Sequence, residues 1–134
     1  MHHMFAVNHF ALLASAAIQW VIGALWYGVI FKKSWKGLVG GETIMGGRAI
    51  FAMVSSFVAS LILCFVLVHI ILWAGAPTFG GGAALAIICW LGFMAPPLFA
   101  QHIYERRPVN LFAINAGYWM IAMAVSGGVL ATWR

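Results

Sequence analysis

The stretch RAIFAMVSSFVASLILCFVLVHIILWA, residues 48–74, opens on Arg48 and then runs 26 residues without a formal charge. A helix rises about 1.5 Å per residue, so about 20 apolar residues cross the roughly 30 Å hydrocarbon layer. Hydrocarbon expels charge and accepts Leu, Ile, Phe and Val, so the stretch reads as a membrane-spanning helix. Three more stretches repeat the pattern: about 5–31 before it, and about 82–101 and 111–133 after it. The prediction is an all-α integral membrane protein of four transmembrane helices, forming a single domain over 1–134.

Composition agrees. The chain is 65% hydrophobic and 7% charged, with mean hydropathy +1.03. Average soluble chains carry about a quarter charged residues, so a soluble domain could not cover this much apolar surface. The net charge of +5 does not indicate nucleic acid, because the cations sit beside apolar segments rather than on a broad basic face. Cys64 and Cys89 lie inside apolar segments without a CxxC motif and read as small buried hydrophobes. The opening Met1-His2-His3-Met4 has no cation before the apolar run, and that run is too long for a signal peptide, so it reads as a retained helix.

The charges also orient the chain. Lys32, Lys33, Lys36, Glu42 and Arg48 occupy the first connection, and Glu105, Arg106 and Arg107 the third; the second, around Pro77, has none. Four crossings put the first and third connections on one side. The positive-inside rule makes that side cytoplasmic and both chain ends periplasmic, in a bacterial inner membrane. Lys32, Lys33, Lys36, Arg106 and Arg107 are then expected to contact lipid phosphates. Trp26, Tyr27, Trp35, Trp119 and Trp133 are expected to act as interfacial aromatic anchors. The run from Gly75 to Gly82 reads as helix-breaking.

Helices in lipid associate through close fit and hydrogen bonds. Ala52, Ser56, Ser60 and Cys64, at four-residue spacing, form a small-residue ridge expected to be a packing seam. Gln19 and Gly23 share a face of the first helix. Gln19 is expected to bond across to the fourth, which offers Asn115, Tyr118 and Ser126, with Gly117 beside them. Pro96-Pro97 is expected to kink the third helix.

No aspartate occurs, and both glutamates are in connections. An intramembrane carboxylate is a usual proton relay, so proton-driven export is disfavoured. Paired-carboxylate catalysis is excluded inside the bilayer, and no Gly-x-Ser-x-Gly, HExxH or phosphate-binding loop is present. Histidine gives the only metal-like signal. A free amine followed by His2 and His3 can chelate copper, and His69 could be an axial haem ligand. Both are weak beside a polar tail and a hydrogen-bonded interface histidine. His102 adjoins Tyr104-Glu105-Arg106-Arg107 and reads as part of a solvated turn. No cofactor is expected.

Two motifs carry a family resemblance. One is Gly23-Ala24-Leu25-Trp26-Tyr27 with Phe31 and Trp35. The other is Glu105-Arg106-Arg107, then Leu111-Phe112 and Asn115-Ala116-Gly117-Tyr118-Trp119. Together they resemble the small bacterial membrane proteins grouped as domain of unknown function 1761, over nearly the whole chain. The resemblance implies a four-helix membrane fold and no activity.

The function expected is therefore non-enzymatic: an accessory or structural subunit of a larger membrane complex, such as a respiratory or photosynthetic one, or a homo-oligomer, in contact with lipid. The alternative is a small oligomeric transporter or channel with Gln19, Asn115 and Tyr118 lining a polar path. Copper or haem binding through histidine is a third.

Overall fold

The computed structural model of the chain describes residues 8–30 and 47–133. Trp35, Lys32, Lys33, Lys36, His2 and His3 lie outside them. Every regular element among the described residues is helical: α1 (His9–Leu25), α2 (Gly47–Ala74), α3 (Phe79–Cys89), α4 (Ala95–Tyr104) and α5 (Val109–Thr132). A π-helical turn, Trp26–Ile30, extends α1, and a second, Trp90–Met94, joins α3 to α4. These give four helices long and apolar enough to cross a membrane: His9–Ile30, Ile50–Ala74, Phe79–Tyr104 and Val109–Thr132.

The helix ends follow from local chemistry. Asn8 caps α1 through Oδ1, which accepts from the Phe10 and Ala11 amides at 3.0 and 3.2 Å. Thr78 caps α3 in the same way, accepting from the Gly81 amide at 3.0 Å. The third span therefore starts at Phe79, inside the glycine run read as helix-breaking, because a cap satisfies amides that the glycines alone would leave open. Gly75, at φ 71°, ends α2 with its amide on Leu72 O and the Ala76 amide on Ile71 O. The same closure ends α4, but Arg106 takes the left-handed position at φ 59°. The Arg107 amide then reaches His102 O at 2.9 Å.

Pro96 and Pro97 fall in the first turn of α4, directly after the second π turn. There the Ala95 amide donates to Trp90 O, five residues back. The wider turn accommodates two residues that have no amide hydrogen to give the helix.

The fourth span packs against all three others, whereas the second and third barely touch. Its closest partner is the third. A Cβ added at Gly82 would overlap the Gly127 carbonyl oxygen and stand 2.6 Å from Ala131 Cβ. One at Gly127 would stand 2.5 Å from Gly82 O and 2.8 Å from Ala86 Cβ. Backbone thus meets backbone, the contact that small residues four apart allow in lipid. Outward from this crossing the core is Cys64, Leu67, Val68 and Ile71 of α2, with Met123 and Leu130 of α5.

Candidate functional site

The two motifs that carry the family resemblance face each other across the first and fourth spans. The π turn at Trp26 places two aromatic side chains on α5. Trp26 Nε1 donates to Ile114 O at 2.9 Å, and a Cβ at Gly117 would lie 3.2 Å from the Trp26 ring. Tyr27 donates to Asn115 Oδ1 at 2.7 Å and stacks obliquely on Tyr118 with centroids 5.5 Å apart. Tyr118 in turn donates to Gln19 O at 2.9 Å, its ring 3.3 Å from where a Gly23 Cβ would be. A side chain at 23 or 117 would crowd these rings, which stand 3.3 and 3.2 Å from where its Cβ would be.

The network continues into the third span. Asn115 Nδ2 donates to His102 Nε2 at 3.2 Å, and His102 Nδ1 lies 2.8 Å from Leu98 O. Trp90 Nε1 donates to Ala116 O at 2.9 Å. His102 is buried rather than placed in a solvated turn. Its neighbours Glu105 and Arg107 do form the exposed turn, joined by a 2.7 Å ion pair. Sequence reasoning missed His102 because the charges that follow it drew it toward water. Its position one turn earlier, on the helix, was the available signal.

Gln19 differs from expectation. Its side chain is fully buried, yet neither Nε2 nor Oε1 has a hydrogen-bond partner, and Ser15 Oγ is also without one. The fourth span reaches Gln19 only at its backbone carbonyl. Ser126 lies near, its hydroxyl 3.5 Å from Ser15 O. Of Gln19, Asn115 and Tyr118, the three residues of the expected polar path, Asn115 and Tyr118 are bonded across helices through their side chains and Gln19 is reached at its backbone.

The small-residue ridge of α2 divides in two. Ser60 and Cys64 are buried against the bundle. Ser56 is exposed, and its hydroxyl donates back to Ala52 O at 2.7 Å. Where the ridge leaves the bundle, a cleft of about 650 Å³ opens between spans one, two and four. It lies in the half of the bundle toward the charged connections. Trp20, Tyr27, Ser56, Ser60, Tyr118 and Trp119 contribute to its wall. Trp119 is packed on Tyr118, with centroids 4.8 Å apart. Trp133 is exposed at the end of the fourth span.

His69, on the far half of α2, holds its Nδ1 2.6 Å from Phe65 O and packs between Phe65 and Trp73. Among the described residues no three His, Cys, Asp or Glu side chains come together as a metal set.

Four apolar spans, with the first and third tied to the fourth by interhelical bonds from tyrosine, tryptophan and asparagine, define a multi-pass membrane protein. The chain belongs to the family described as Protein of unknown function (DUF1761), whose model matches residues 10–131 and so covers both motifs. No curated protein and no solved structure matches it.

Proposed function

We propose that this is a non-enzymatic protein of the bacterial inner membrane, both ends periplasmic, that works by helix association as an accessory subunit of a larger membrane complex. The observation that carries the reading is the one-sided packing of the third span. Only 11% of its most apolar window is buried, against 39% for the fourth. It leans on the fourth span through small residues and leaves Ile88, Leu91, Phe93, Phe99 and Ile103 outside the bundle. In lipid such a face is available to a partner helix without any change in the fold. The placement of six of the seven cations in the first and third connections supports the orientation.

The test is mild-detergent extraction of native membranes, native electrophoresis, and mass spectrometry of the band that holds this chain. Co-migration with a large complex in fixed stoichiometry is expected. A small band of this chain alone sinks the reading. Cysteine labelling at residues 106 and 134 from either side of the membrane checks the orientation.

One observation favours a second reading, a small oligomeric transporter: the unpartnered amide of Gln19 and hydroxyl of Ser15 are polar groups such as a path would use. If they are, Gln19→Leu abolishes flux in proteoliposomes while assembly is retained.

A further inference from the structure

We infer that the cleft between spans one, two and four holds a single anionic phospholipid from the leaflet beside the charged connections. One acyl chain lies in the cleft, and the phosphate sits at its mouth by Arg48. The inference goes beyond the accessory-subunit reading, since no residue of the third span lines the cleft.

Helical register supplies the cation. Ala52, Ser56 and Ser60 line the cleft at four-residue spacing along α2. Arg48 stands one turn nearer the start of the same helix, at the register position that continues this face. The twelve residues from Arg48 to Ser60 rise about 18 Å. Half of the hydrocarbon layer is about 15 Å deep. With Arg48 at the headgroup level, the cleft thus occupies the depth of one leaflet. The first connection, which joins the two spans that flank the cleft, carries four cations and one acid. Its charge therefore favours an anionic head over a zwitterionic one.

Size and wall select the occupant. The cleft measures about 650 Å³. A helix 10–12 Å across and 18 Å long fills at least about 1,400 Å³, so neither a partner helix nor one from a second copy can be seated in it. A flexible hydrocarbon chain can. Trp20, Met53 and Ser56 are exposed along the cleft, so it opens on the flank of the bundle, where lipid is the neighbour. Trp20, Tyr27, Tyr118 and Trp119 give it ring surface, and Gly23, Ala52 and Ala59 leave the space between. The wall's hydroxyl groups make few demands on that chain. Ser56 donates to Ala52 O, Tyr118 to Gln19 O and Tyr27 to Asn115 Oδ1, while Ser60 is 3% exposed. The indole N–H groups of Trp20 and Trp119 make no hydrogen bond among the described residues. The ester oxygens of a phospholipid are acceptors for such donors.

The full-length protein in phosphatidylcholine nanodiscs is doped with increasing fractions of phosphatidylglycerol or phosphatidylcholine whose acyl chains are brominated, and tryptophan fluorescence is followed. Bromine quenches indole at contact. Brominated phosphatidylglycerol is expected to add a saturable phase at low fraction, and brominated phosphatidylcholine to quench only in proportion to its amount. Arg48→Gln should weaken the saturable phase about fivefold. Arg106→Gln removes a cation from the third connection, away from the cleft, and should leave the phase unchanged. Ser56→Leu fills the cleft without removing an interhelical bond, since Ser56 bonds only within its own helix; the saturable phase is expected to disappear. Saturable quenching by both lipids alike overturns the anionic head. An equal loss in Arg48→Gln and Arg106→Gln, or none in Arg48→Gln, overturns the placement at Arg48. A saturable phase unchanged in Ser56→Leu, or none in the parent protein, overturns the site.

Discussion

Gly127→Ala probes the close approach of spans three and four. The new Cβ would stand 2.5 Å from Gly82 O, and ordinary contact begins at 3.4 Å, so spans three and four must separate by about 0.9 Å. No flexible side chain can yield, because the atoms met belong to the Gly82 backbone and to the short Ala86 side chain. Overpacking of this kind costs about 1–3 kcal/mol. Alanine is also the better helix former by about 1 kcal/mol, which acts in the opposite direction. Gly80→Ala supplies the reference, since a Cβ there meets nothing within 4 Å. The difference between the two variants isolates the collision. Unfolding in mixed micelles of mild detergent and dodecyl sulfate, followed by tryptophan emission, measures it. The paired Gly82→Ala/Gly127→Ala variant should lose less than the sum of the two single losses, because one separation relieves both collisions. If Gly127→Ala and Gly80→Ala unfold at the same detergent fraction, the two backbones do not meet there and the packing described here is mistaken.

The same unfolding assay checks four further expectations. Asn115→Leu breaks the bonds to the Tyr27 hydroxyl and to His102 Nε2 together and should cost about 1–3 kcal/mol; a neutral result would mean the three side chains are not linked. Trp90→Phe keeps the ring but loses the bond to Ala116 O, a loss of about 0.6–2 kcal/mol. Gln19→Leu should stabilise the protein, by about 1–3 kcal/mol, because it replaces a buried amide that has no partner; destabilisation would reveal that the amide is satisfied after all. Arg106→Gly relieves a left-handed residue and should raise stability by up to about 1 kcal/mol, part of the gain being lost to the freer unfolded chain.

The four spans were legible because a lipid solvent leaves a coarse signal, charge or no charge, that needs no knowledge of packing. The two motifs were legible as a pair, and the bonds from Trp26 and Tyr27 to Ile114 and Asn115 join them. What each residue touches was harder to read. Trp26 and Tyr27 were read as interfacial anchors, and that reading did not foresee their bonds to α5, which need the position of a second helix to be known. The ridge on α2 was read as one seam, yet only Ser60 and Cys64 are buried; spacing along one helix says nothing about where a neighbour diverges from it. The tightest seam went unread for a different reason. Gly82 with Ala86 and Gly127 with Ala131 show the same four-residue spacing in both partners. The first of these was hidden in a glycine run that looked like a loop, and only the Thr78 cap turns that run into helix.

The dependence of the third span on the last one has a consequence for how the molecule is made. Spans enter the membrane in chain order, and the first two have each other to pack against as they arrive. The third has almost no contact with either of them, and its small-residue face finds its match only when the fourth is in place. Until then the third span is a lone helix in lipid with an exposed glycine groove, open to any neighbouring small-residue helix. Assembly is therefore completed from the C-terminal end, and a ribosome stalled before residue 109 would release a packed pair of spans and a third span without its partner.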